Sequence, residues 1–154
     1  MPRDFTEQLT EGQAYAEFPP QTLNNGATAN ASTGAINMSI MRRVRLICSL
    51  GAINASSLIN ASIVQSNTQN GTYTAINCPT TNPALTGVNT ANTPVSIEVR
   101  ADQLGAGMSW VKGLVAETAS HDAPVHGFLI ADCSSQSPGN QEDDVTWTSK
   151  VVAQ

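Results

Sequence analysis

After Gly34 the apolar residues of this chain recur at every second position almost to its end, a period that a strand can use and a helix cannot. "RVRLICSL", residues 43 to 50, sets Val44, Leu46 and Cys48 against Arg43, Arg45, Ile47 and Ser49. "SSLINASIVQS" places Ile59, Ala61 and Ile63 on one face and leaves a mixed face of Leu58 and Val64 around Asn60 and Ser62. "PVSIEVRADQLG" alternates most regularly, with Val95, Ile97, Val99 and Ala101 inward and Ser96, Glu98 and Arg100 outward. "MSWVKGLVAET" and "VHGFLIADC" supply two more strands, and "DVTWTSKVV" reads as an edge strand or a departing tail. No window of eleven or more residues holds a 3.6-residue period, and β-branched residues dominate the apolar set.

The punctuation fits the same class. Asn70-Gly71 predicts a tight turn that makes residues 57–66 and 72–77 a hairpin, because both residues tolerate positive φ. Pro79, Pro83, Gly87 and Pro94 predict a long surface loop, and Gly105 and Gly107 the next turn. Seven or so short strands at this spacing predict an all-β chain, an antiparallel β-sandwich of jelly-roll-like or immunoglobulin-like order. Residues 1–35 show neither period, and they read as an extended N-terminal arm ahead of a sandwich domain over 36–154. Phe5, Leu9, Tyr15 and Phe18 stand along that arm among Asp4, Glu7, Glu11 and Glu17, as anchors that would lie across another surface.

Charge excludes several functions. At a formal net charge of -5, with seven Lys and Arg, the chain has no basic stripe for phosphate, so no nucleic-acid partner is expected. No apolar run is long enough to span a membrane, and none at the N-terminus is long enough for a signal peptide. The triplets headed by Asn30, Asn37, Asn54, Asn60 and Asn70 are therefore expected to be unmodified, and Cys48, Cys78 and Cys133 to be reduced thiols in a chain made in the cytosol. From Leu46 to Ile97 there is no charged residue at all. Asn, Ser and Thr keep such a surface wettable at small desolvation cost, which suits self-association. Leu, Ile, Val and Phe supply only about a fifth of the residues, and a core that thin is expected to be supplemented by contacts with other chains.

Catalytic patterns do not assemble. Ser134 or Ser135 with His121 or His126 and Asp122 or Asp132 lacks a nucleophile elbow, and Asp143 with Asp144 reads as a solvated acidic turn. Glu98 with Glu117 is a formal carboxylate pair, but Glu98 points outward. "GAGMSW" lacks the Lys of a phosphate loop, "NQEDDV" lacks the Gly of a calcium loop, and His121 with His126, the one pair at short spacing, falls on a turn and a strand start. No catalytic residue, cofactor or metal is therefore expected. Trp110 reads as core; exposed, it would join Trp147 and Tyr73 as a sugar-stacking platform.

Two segments, "SIVQSNTQNGTYTAI" and "VSIEVRADQLGAGMSWVKGLVAET", resemble small virion proteins of tailed bacteriophages, and the likeness extends over residues 40 to 134. Those proteins show a strand, a Ser-rich turn with Gly before an aromatic strand, then an alternating strand, a loop and an aromatic-led strand. The resemblance implies a capsid cement or decoration protein, made in the host cytoplasm and carried on the capsid exterior. It also implies binding at junctions of the major capsid protein, commonly as a homotrimer, with the arm as a clamp. Phe5, Tyr15 and Phe18 are then the expected partner contacts. The rival readings are a head-tail connector or tail protein and a carbohydrate-binding or adhesive sandwich.

Overall fold

The structure is a computed structural model that describes residues 13–24, 29–77, 84–132 and 149–152. Its strands are β1 (Gln13–Leu23), β2 (Asn30–Ser32), β3 (Ile36–Asn37), β4 (Arg43–Leu50), β5 (Ile59–Ser66), β6 (Thr74–Ala75), β7 (Ala84–Val88), β8 (Pro94–Arg100), β9 (Trp110–Glu117), β10 (Ala123–Asp132) and β11 (Ser149–Val152). A single 3₁₀ turn, Ala101–Gln103, follows β8 among the described residues.

Two sheets form, one ordered β1-β10-β4-β8-β11 and the other β2-β9-β5-β6, with β3 also on β9 and β7 also on β5. The chain repeatedly crosses between them, so that β1-β10-β4-β8 faces β2-β9-β5-β7. That connectivity is the double-sheet jelly roll, which decides between the two sandwich orders open from sequence. Pairing is antiparallel except for β11, which lies parallel to β8 at the sheet edge.

The period-two residues meet between the sheets. Val44, Leu46, Cys48 and Leu50 of β4 are buried with Val95, Ile97 and Val99 of β8, and Ile59, Ala61 and Ile63 of β5 with Val111 and Val115 of β9. Gly113 brings the sheets close, since a Cβ there would stand 2.6 Å from Leu46 Cδ1.

Four expectations need correction. The first concerns the arm: Gln13–Leu23 is a sheet strand paired with β10, and Asn30–Ser32 pairs with β9, so the described part of residues 1–35 belongs to the sandwich. Phe18 is 1% exposed and Leu23 is fully buried. The period was hidden because the inward positions before Phe18 are only Ala14 and Ala16, and Pro19-Pro20 falls in a register shift between Phe18 and Gln21. An edge strand tolerates such prolines. Phe18 lies opposite Gly127, where a Cβ would come within 2.6 Å of its ring, so the ring packs on bare backbone.

The second concerns the loop at 78–94. Ala84–Val88 is a strand on β5, entered with a register shift at which Gly87 takes φ 68° and its N–H donates to Asn60 Oδ1 at 2.9 Å. Third, the Asn70-Gly71 hairpin exists, with Val64 opposite Ala75, but neither turn residue has positive φ. Gly71 is favoured instead by close approach, because a Cβ would strike Thr68 Oγ1 and stand 2.6 Å from Ser66 Oγ, and both hydroxyls would have to shift. Fourth, Ser96 and Glu98 are buried although they point away from the core, on a strand flanked on both sides by β4 and β11.

Phe18→Ala is expected to lower unfolding free energy by about 3 to 5 kcal/mol, and Tyr15→Ala by less than about 1 kcal/mol. Urea denaturation of the two variants checks it, and equal effects would return Phe18 to an arm.

Candidate functional site

The two outer faces differ in chemistry. On the five-stranded sheet, Tyr15, Phe128, Ile130, Ile47 and His126 stand outward, with ring centroids 6.1 Å apart for Tyr15–Phe128 and 6.3 Å for His126–Phe128. Charge surrounds this cluster. Arg43 Nε donates to Asp132 Oδ2 at 2.8 Å, a bond that raises the guanidinium's pKa, and Arg45 pairs with Glu98 directly across the strands. Arg45 and Glu98 are the two charges that bound the uncharged interval, and the fold brings them together. Tyr15, 46% exposed, donates its phenol proton to Glu17 Oε2 at 2.5 Å, which holds the phenol above its usual pKa.

The six-stranded sheet turns outward a grid of small uncharged residues. Cross-strand register sets Asn30, Ala116 and Asn60 in one row, Ser32, Leu114, Ser62 and Ala84 in the next, and Lys112, Val64 and Ala75 in a third. Lys112 is the single charge in the grid, and its Nζ lies 4.5 Å from the Tyr73 ring centroid. Burial raises the Tyr73 phenol's pKa, and its hydroxyl donates to Gln69 O at 2.8 Å. Trp110 belongs to this outer face and is half-buried, contrary to the expectation of a core position, because β9 turns Val111, Gly113 and Val115 inward. Three of the five sequon asparagines serve the backbone: Asn37 Oδ1 accepts from Ser39 N, Asn54 Oδ1 from Ser56 N and Asn60 Oδ1 from Gly87 N.

A third feature lies at the end of the sandwich where β4 leads to β5 and β9 turns into β10. Glu117, 1% exposed, accepts at Oε1 from Leu58 N at 3.3 Å and Ala119 N at 2.6 Å. Thr118 donates both N–H and hydroxyl to Leu58 O, at 3.1 and 3.0 Å. These bonds clamp the two loops together, and Glu117 Oε2 is buried with no partner among the described residues. Beside the clamp is an open depression of about 530 Å³ lined by Asn24, Ala52, Ile53, Asn54, Ser120, His121 and Asp122.

The remaining sequence candidates do not converge. Asp122 Oδ1 accepts from Asn24 Nδ2 at 2.8 Å while Asp132 binds Arg43, and His126 stands among aromatic and aliphatic neighbours. Glu98 and Glu117 belong to different sheets. Phe5, Leu9, Cys78, Cys133, Ser134, Ser135, Asp143, Asp144 and Trp147 lie outside the described residues. Among the described residues no group of three or more His, Cys, Asp or Glu could hold a metal ion, and no helix is long and apolar enough to cross a membrane. Glu117 was visible in the sequence only as half of a formal carboxylate pair; its place as the last inward residue of β9 is what makes it a clamp.

No protein-family model matches the chain, and no curated protein matches it. Among solved structures, it is similar to a chain in the structure of infectious bursal disease virus, Gx strain, at 12% identity and TM-score 0.43, over 82% of this chain and 33% of that one. It is also similar to the Eiger TNF structure from S. frugiperda, at 10% identity and TM-score 0.34, over 85% of this chain and 99% of that one. The chain thus spans a third of the viral chain's length, and neither likeness assigns it to a family.

Glu117→Ala is expected to cost about 1 to 3 kcal/mol in chemical denaturation, because two partly buried N–H groups lose a charged acceptor, whereas Glu117→Gln keeps Oε1 and most of the stability. Equal losses would show that the carboxyl has no clamping role. Cys48 is buried, and desolvation pushes its thiol up to about 12, so its reactive thiolate is scarce at neutral pH. Peptide mapping after iodoacetamide at mildly alkaline pH should find Cys48 unmodified in the folded protein and modified in urea.

Proposed function

We propose that this chain is a non-enzymatic structural protein of a virion, a cement or decoration protein that binds the outside of an assembled tailed-phage head as a homotrimer. The observation that carries this reading is the grid on the six-stranded sheet: three cross-strand rows without an acid, whose single cation is held over Tyr73. Burying Asn, Ser, Ala and Leu against a neighbour costs far less than burying ion pairs, and the centres of protein interfaces are depleted of charge for that reason. Residues 13–132 carry a formal charge of only -1. Of the formal -5, residues 1–12 contribute -2 and residues 133–154 another -2. Copies can therefore approach face to face with little like-charge repulsion.

The resemblance of residues 40 to 134 to small phage virion proteins supports the same reading and implies the major capsid protein as the partner. In this account the grid joins copies, while the N-terminal residues with Phe5, and the exposed Tyr15, contact the shell. Phe18 is withdrawn as an anchor because it is core.

Sedimentation of the purified chain, alone and with expanded heads of the major capsid protein from the same genome, tests the proposal. A species of three 16.1 kDa chains that pellets with heads is expected, and Leu114→Glu should reduce it to monomers of unchanged fold. A wild-type monomer that stays in the supernatant would overturn it. Deleting residues 1–12 should leave the trimer intact and weaken head binding.

A further inference from the structure

The depression at the loop end has the composition of a recognition site rather than of a gap between loops. Its two walls are preorganised: Glu117 and Thr118 clamp them through Leu58, and Asn54 fixes its own loop by accepting at O from Ser57 N and at Oδ1 from Ser56 N. Ser120 is held at φ 60°, a left-handed conformation that costs a non-glycine residue free energy and clusters at ligand sites. An unpaired buried oxygen, Glu117 Oε2, is tolerated beneath the same turn, so the clamp is retained at some expense in stability.

The groups that line it select by chemistry. Asp122 keeps Oδ2 as an acceptor once Oδ1 has taken the Asn24 amide, and its negative charge disfavours an anionic ligand. A divalent cation would find one carboxylate, with Asn54 Oδ1 already committed to Ser56 N, where hard cations ask for several oxygens. A purely apolar ligand would cover Asn54 Nδ2, Asp122 Oδ2 and the polar groups of Ser120 and His121 while offering them no partner. Neutral vicinal hydroxyls, each donor and acceptor at once, match acceptor Asp122 with donors from Asn54 Nδ2 and Ser120, and Ile53 offers a surface for ring C–H groups.

We propose that the depression between residues 51–58 and 118–122 binds a neutral saccharide ring, with Asp122 as the hydroxyl acceptor and Asn54, Ser120 and His121 as its polar rim. This goes beyond the shell-binding role and stands without it, and it leaves the Trp110 and Tyr73 rings out of sugar recognition.

Saturation-transfer NMR on the full-length chain with D-galactose, D-mannose, L-rhamnose and N-acetyl-D-glucosamine tests it. At least one sugar should give a saturable signal with a dissociation constant on the order of 1 mM. Asp122→Ala should weaken that sugar about tenfold or more, since a hydrogen bond to a charged group is lost, while the fold is kept and the unfolding midpoint falls only by the loss of the exposed Asn24 bond. Trp110→Ala should leave binding unchanged. Silence of all four sugars at about ten times that concentration would overturn the proposal, as would a signal that Trp110→Ala abolishes and Asp122→Ala spares.

Discussion

The register of β4 is the constraint on which the other contacts depend. It lies between β10 and β8, and every buried residue of the five-stranded sheet's centre is placed by its pairing with one or the other. A slip of one residue would turn Arg43, Arg45, Ile47 and Ser49 into the core and Val44, Leu46 and Cys48 out of it. Two ion pairs hold against that slip from opposite sides: Arg43 to Asp132 on β10 and Arg45 to Glu98 on β8. Both are only partly exposed, where screening is weaker than at an open surface, so they contribute specificity of register more than bulk stability.

With β4 fixed, a separation of charge between the two outer faces follows. The cations of the body gather on or beside the five-stranded sheet, except Lys112, and the opposite sheet can present an acid-free face. Connections between the sheets collect at the two ends of the sandwich, and one of these ends is stiffened by a buried carboxyl in place of apolar packing. The proposed contact by a sheet face and the proposed recognition by end loops thus draw on different residues, and a change to one need not disturb the other.

The strands with large inward residues were legible in the sequence because burial and period coincide there: β4, β5, β8, β9 and β10 lie where alternation put them. β1 was not, because alanine at its inward positions gives little contrast and its prolines fall at a bulge. β7 was hidden by Gly87, whose positive φ serves a register shift rather than a loop. Trp110 was misplaced because an aromatic residue at a strand start carries no mark of which face it takes. The grid was half legible: the uncharged interval was plain, but Leu114 and Lys112 join it only through pairing with β5. Glu117 and Asp122 lie five residues apart in the sequence, and only the β9–β10 turn, with the loop before β5 folded against it, makes one site of them.

The central claim is that the outer face of the six-stranded sheet is where copies meet. Hydroxyl-radical footprinting of the assembled protein against a diluted, dissociated sample reads this side chain by side chain. The account predicts protection on assembly at Trp110, Leu114, Val64 and Tyr73, with Tyr15 and Phe128 labelled equally in both states. Protection of Tyr15 and Phe128 with Leu114 and Trp110 unchanged would contradict it.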